Sequence, residues 1–345
     1  MGSSLPSPIS PEFLAAFSEA ARPEDTLTFA QFMTLALYHP QLGYYRRPKN
    51  RVGYGPASDF FTATTSGPLF GELVCAACVA LLGPRPARDF TFVEIGAETP
   101  AGILQDVAHP FASARTVRLG ETLNLQGKCI VFSNELFDAQ PFHRYFFRAG
   151  AWREVGVGRQ KDLLVEIELP TATPATLPRH APEGYRIDAP LAATTLAAEI
   201  VAQPWSGLFL AFDYGKSWLE LVEATPMGTA RAYRRHTQSN DLLADPGQQD
   251  LTCHICWDWL ADTLRGAGFP SVHLESQEAF LIHHAGPFIA QTTASEAAHF
   301  SRKKLSLLQL LHPSHLGQKF QVLHGYRSAK FPLASPSSGP LLPTL

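Results

Sequence analysis

No one sign of charge dominates this chain: 28 Lys and Arg stand against 31 Asp and Glu, for a formal net charge of −3. Nothing therefore draws the molecule as a whole to phosphate backbones or anionic membranes, and no nucleic-acid partner is expected. Its basic clusters, Arg46-Arg47-Pro48-Lys49 and Arg302-Lys303-Lys304, are short enough to be solvated faces. Long apolar runs are missing as well. The longest, residues 73–82, is too short to cross a bilayer and reads as a buried helix, so no membrane insertion is expected. Residues 1–10 lack the basic and apolar stretches of a signal peptide, which leads to the expectation of a cytoplasmic chain with reduced cysteines. Cysteine itself is scarce, with five in 345 residues. Cys75-Ala-Ala-Cys78 and Cys253-His254-Ile255-Cys256 have the spacing of zinc ligands. The first pair lies inside the apolar run, where cysteine behaves as a small hydrophobe, and the two pairs are far apart in sequence. No metal is expected.

What is present is an ordinary globular composition, 45% hydrophobic and 17% charged, without internal repeats. A Pro-, Ser- and Ala-rich segment, 1–26, is expected to be flexible, with a short helical stretch over 12–21. Thr28 and Gln31 form a capping-box pattern ahead of a helix carrying Phe29, Phe32, Leu35 and Leu37, which Pro40 ends. Together with a glycine- and aromatic-rich loop over 43–65 and a helix over 68–82, this makes an N-terminal cap, 27–89. From residue 90 to 330, strand and helix signals alternate. Strands are expected at 90–96, 116–119, 129–132, 207–212, 271–274 and 320–323, and helices at 103–108, 191–202, 253–266 and 301–311. An apolar/polar alternation over 143–169 predicts an inserted β-hairpin, and the Pro/Ser-rich tail 331–345 is expected to be disordered. The alternation is that of an α/β sheet of Rossmann-like type with helices on both faces. Ligands of such sheets sit beyond the carboxyl ends of the strands. The candidate site residues are therefore Glu94, Gly96, Ala97 and Gly102 after one strand, Glu121 after the next, Asn134, Glu135 and Asp138 after a third, and Asp213 and Tyr214 after a fourth. A glycine turn admits a ligand close to the backbone, and an acid at the following strand end can take ribose hydroxyls. Glu121 fits that place, and fits equally a solvated loop carboxylate.

The order of several motifs is more specific than any one of them. FMTLALYHPQLGYY (32–45), DFFTATTSGPLFGEL (59–73), VEIG (93–96), SNELFDAQPFHR (133–144), DYG (213–215), GTARAYRRH (228–236) and DLLADPGQQDLTCH (241–254) follow one another over 27–326. This chain resembles the MidA-type methyltransferases, whose mitochondrial members assist assembly of respiratory complex I. The resemblance implies a class I methyltransferase fold that binds S-adenosylmethionine (SAM) and methylates an arginine of a partner protein, a respiratory-complex subunit being one candidate. On that basis Asn134, Glu135, Asp138, Asp213, Tyr214 and His254 are candidate catalytic residues. Glu94, Gly96, Ala97, Gly102, Glu121 and Asn134 would face the donor, and Asp59, Thr62, Arg231 and Tyr233 the substrate pocket. Arg231 can equally pair with a carboxylate and hold the site together, and His254 can be a structural histidine; Phe60 and Phe61 read as lid or core.

The chain departs from the family's pattern on the donor side. The glycine loop reads Gly96-Ala-Glu-Thr-Pro-Ala-Gly102, in which Glu98 adds a carboxylate and Pro100 removes a backbone donor. The interval between Gly96 and Asn134 is short, as though one edge strand–helix unit were missing. Cys256 stands where an aspartate is expected. These departures leave an alternative, a non-catalytic assembly or binding protein that keeps the fold with a degenerate SAM site.

Overall fold

The computed structural model describes residues 9–47, 51, 53, 58–59, 63–170, 174–297 and 301–329. At its centre lies a six-stranded sheet in the order Val272–Ser276, Gln321–Arg327, Trp205–Asp213, Gly127–Asn134, Thr91–Ile95, Ser113–Val117. The last four run parallel to one another, while Gln321–Arg327 is antiparallel to both of its neighbours. Period-two alternation along the strands divides the core into two layers. Phe92, Ile130, Phe132, Leu208, Leu210 and Phe212 pack with helices Pro68–Leu82, Gln277–Ser295 and Arg302–Leu311. Val93, Ile95, Val131, Phe209 and Ala211 pack on the other face with helices Leu191–Ala202 and Trp257–Gly266. Gly207 (φ +129°) lets the central strands approach, since a Cβ there would overlap the Cys129 carbonyl. Among the described residues the sheet ends at Ser113–Val117, in keeping with the expected loss of an edge unit.

Four expectations need correction. The glycine loop is not followed by a helix at 103–108 but only by a 3₁₀ turn, Gly102–Leu104. The Glu94 carboxylate, at the end of its strand, accepts from the Ile103 N–H (2.6 Å) and ties that turn down locally. Residues 143–169 do more than form a hairpin. His143–Arg148, Ala151–Gln160 and Leu163–Leu169 are consecutive antiparallel strands of a five-stranded sheet that also takes in Thr26–Thr28 and Arg186–Ala189. The described part of the segment 1–26 is packed: helix Pro11–Ala20 buries Phe13, Leu14 and Phe17 against Phe29 and Phe32. Finally, the helix Gln277–Ser295 was not foreseen. Its internal Pro287 and its histidines and threonines hide the apolar repeat. The expected disordered tail, 331–345, lies outside the described residues. The Thr28–Gln31 capping box is present as expected. No helix among the described residues is long and apolar enough to cross a membrane.

Candidate active site

The carboxyl ends of the parallel strands converge on one side of the sheet. Ile95 pairs with Ser133, and Asn134 with Phe212, so Gly96, Glu135 and Asp213 follow neighbouring strands. Gly96 is left-handed (φ +80°), and a Cβ there would lie 2.8 Å from a Leu136 methyl, so the turn accepts only glycine without a shift. Glu135 is also left-handed (φ +52°), uncommon for a residue with a side chain. Its N–H is bonded to the Phe212 carbonyl (2.9 Å), and the Asn134 amide donates to its carboxylate (3.0 Å).

Two cavities adjoin there. The larger, about 480 Å³, is lined by Glu94, Gly96, Glu98, Asn134, Glu135, Asp138, Tyr214, Tyr233, Asp250, Thr252 and His254, with Tyr45 and Phe320 at its walls. The smaller, about 280 Å³, shares Tyr45, Gly96, Glu98 and Glu135, and adds Ala97 and three arginines, Arg46, Arg51 and Arg118. One end of the site is thus acidic and the other basic.

Four carboxylates crowd the acidic end. Burial pushes Glu135 well above the usual range, and Asp138, Asp213 and Asp250 push it further. Asp250 is raised by burial and by Asp138, although the Tyr45 hydroxyl donates to it (2.9 Å). Asp138 is raised by burial, opposed by the Tyr214 hydroxyl that donates to it (2.5 Å). Among the described residues no ion pair joins a cation to any of these groups, although Lys319 lines the same cavity. The second Asp138 oxygen and the Asn134 amide oxygen are buried without a partner. Acceptors left unpaired inside a negatively charged cavity favour a cation with N–H donors. His254 packs its ring edge-on to Tyr214 (5.4 Å). Burial lowers its pKa to about 4, with Lys216 and Arg231 acting in the same direction, so the imidazole is neutral near pH 7, and its Nδ1 has no partner.

Several expected residues sit elsewhere. Asp213 is fully buried behind the cavity, where its carboxylate accepts from the Phe137 (2.9 Å), Asp138 (3.4 Å) and Tyr214 (2.9 Å) N–H groups. It positions the Glu135–Asp138 loop and lines neither cavity. Glu121 lines neither as well; it is exposed, and its carboxylate closes its own turn onto the Arg118 N–H (2.8 Å). Gly102 is backed against the Glu94 carboxylate. Asp59 is buried and accepts from the Tyr44 hydroxyl (2.7 Å) and the Arg235 N–H (2.8 Å), fastening the N-terminal loop to the turn at Arg235–His236. Arg231 donates to the carbonyls of Gly228 and Ala230 and faces neither cavity. Thr62, Phe60 and Phe61 lie outside the described residues. The sequence reading passed over Asp250, Tyr45 and Thr252. Asp250 and Thr252 lie inside the 241–254 motif and Tyr45 ends the 32–45 motif, but none of them follows a strand of the central sheet, and nothing in the motifs themselves marks them apart from their neighbours.

Comparison with known proteins bears on the fold and the family. A family model for S-adenosyl-L-methionine-dependent methyltransferases matches residues 102–273. The protein arginine methyltransferase NDUFAF7, mitochondrial, of Danio rerio is 23% identical over 370 residues, covering 88% of this chain and 84% of that protein. The NDUFAF7 homolog of Drosophila melanogaster is 27% identical over 292 residues, covering 66% of this chain and 64% of that protein. These matches support a MidA-like SAM-dependent methyltransferase family for the chain. A crystal structure from Burkholderia thailandensis bound to S-adenosyl-homocysteine superimposes with a TM-score of 0.80 at 24% identity, covering 96% of this chain and 97% of that one. A native structure from the same organism gives 0.77 at 23% identity, with the same coverage. They show the fold that the methyltransferase shares. The match to the family model begins at Gly102, the last residue of the altered glycine loop.

Proposed function

We propose that this methyltransferase transfers a methyl group from SAM to an arginine side chain of a protein. The observation that carries the reading is the convergence of Glu135, Asp138 and Asp250, without a cationic partner, on a cavity that opens beside Gly96. The residues fit the donor: Gly96 allows close backbone approach, and the unpartnered amide oxygen of Asn134 suits its amino group. When bound, SAM supplies an electrophilic methyl carbon. Glu135 and Asp138 hold the guanidinium by paired N–H contacts and turn one nitrogen lone pair toward that carbon. As the new N–C bond forms, the methyl–sulfur bond breaks with its electron pair leaving on S-adenosylhomocysteine, and a carboxylate of the pair takes the proton the nitrogen loses. Burial makes both groups stronger bases than free carboxylates, and at Glu135 the neighbouring carboxylates add to it, which suits them to that task. Tyr214 and Asn134 fix the two carboxylates, Asp213 holds their loop, and neutral His254 and Tyr233 line the wall. The relatives' names support the arginine assignment and the protein substrate; a respiratory-complex subunit is a candidate partner. Five free, buried cysteines fit a reducing compartment. Cytoplasmic placement, beside relatives named as mitochondrial, is a proposal that cell fractionation tests.

The experiment is transfer of labelled methyl from SAM to candidate proteins, with methylarginine identified after hydrolysis. Glu135→Gln should lower kcat by roughly 10²–10⁴-fold while SAM binding changes little. Full activity in that variant, or label appearing only on another residue type, overturns the assignment.

A further inference from the structure

A second constellation lies at the far edge of the sheet and shares no lining residue with either cavity of the active site. On the edge strand Val272–Ser276, His273 and Glu275 are two residues apart and so face the same side. His273 pairs directly with His324 on the neighbouring strand, and their rings stack at 5.3 Å. The helix Gln277–Ser295 lowers His284 onto the same side. One oxygen of Glu275 lies 3.0 Å from Nε2 of His284 and 3.0 Å from Nε2 of His324, while the other lies 2.5 Å from Nδ1 of His283. His324 is almost wholly buried, and His284 and Glu275 are half-buried. A cavity of about 360 Å³, lined by His273, Glu275, His284, His324 and Tyr326 among others, opens beside the cluster.

We infer that Glu275, His284 and His324 form a binding site for a divalent transition-metal cation, zinc being the best match. Two imidazoles and a carboxylate are the donor set of open zinc sites, which leave a further position for water or an external ligand, and the adjoining cavity provides the room. The three donor atoms lie within 4.8 Å of one another. Ligands on a tetrahedral zinc with bonds of about 2.0 Å stand roughly 3.3 Å apart, so two of the spacings are already close and small side-chain rotations close the third. His283 on the second carboxylate oxygen supplies the outer contact that orients a metal-binding carboxylate. Such an ion would clip the edge strand, its neighbour and the helix together. None of the five cysteines takes part; all are buried elsewhere in the core.

The test uses the full chain after chelation. Calorimetry and thermal melting with Zn²⁺ alone should show one bound equivalent and a higher melting temperature. Co²⁺ should give visible d–d bands of a tetrahedral nitrogen–oxygen site. His284→Ala and Glu275→Gln should each abolish the bound equivalent, and His283→Ala should weaken it roughly tenfold. Because His284 and Glu275 come from different elements, one variant decides if the other fails to fold. Zn²⁺ binding that survives both variants, thiolate-to-cobalt charge-transfer absorption, or no binding by the native chain would overturn the inference.

Discussion

Glu94→Gln tests how the donor-side strand end is held. Glu94 is about 5% exposed, and burial lifts its pKa from 4.5 to about 7 despite the N–H bond from Ile103. Between those two pH values the folded chain holds a proton that the unfolded chain has released. Stability from this group is therefore complete below pH 4.5 and is lost as pH rises through about 7. At about 1.4 kcal/mol per pH unit, the ionised carboxylate costs about 3 kcal/mol by pH 8. Glutamine keeps an acceptor for Ile103 and removes the charge. Chemical denaturation should find the variant near the native chain at pH 4.5 and up to about 3 kcal/mol more stable at pH 8. A difference that stays constant between the two pH values would refute the reasoning, as would a variant less stable at pH 8.

His254 acts in the opposite sense. Its pKa falls from 6.5 to about 4, so the stability it contributes is present above 6.5 and lost as pH falls toward 4, and His254→Gln should remove that part of the acid sensitivity in melting curves. Arg144 pairs with buried Asp188 (2.8 Å), whose carboxylate also accepts from the Thr229 and Ala230 N–H groups at 2.7 and 2.8 Å. Arg144→Ala leaves that charge uncompensated and should cost about 3–5 kcal/mol in denaturant unfolding. Gly102→Ala places a Cβ on the Glu94 carboxylate at φ +64° and should destabilise by about 1–3 kcal/mol; Glu94→Ala in the same chain should relieve the clash but not the left-handed backbone strain, so the two losses should couple without cancelling.

The middle of the central sheet was legible because Thr91–Ile95, Gly127–Asn134 and Trp205–Asp213 carry apolar runs, whereas Ser113–Val117, with three exposed residues, begins three residues before the expected 116–119; the helix 191–202 was bounded by the proline before it and the polar turn after it. The five-stranded sheet was only half visible: Thr26–Thr28 and Arg186–Ala189 are three and four residues long and join the 143–169 strands through pairing distant in sequence. Asn134, Glu135 and Asp138 were found at the site because position after a parallel strand locates them. Asp250 arrives from the small sheet formed by Arg231–Arg234, Thr237–Ser239 and Asp250–Thr252, whose brief strands carry no readable period. The same limit explains Glu121 and Asp213. Position after a strand placed both near the site, but a turn of its own uses one carboxylate, and the backbone of the 135–138 loop uses the other.

The account rests on SAM occupying the junction of the two cavities at Gly96, and a calorimetric titration of the full chain with SAM measures this directly. The account predicts one site and a stability gain of about 2.7 kcal/mol when SAM is at a hundred times its dissociation constant. It further predicts that Gly96→Trp abolishes the heat while Glu135→Gln retains it. No heat and no thermal shift at millimolar SAM would contradict it, and the altered loop after Gly96, with only a 3₁₀ turn behind it, would then mark a fold that has kept its shape without its donor.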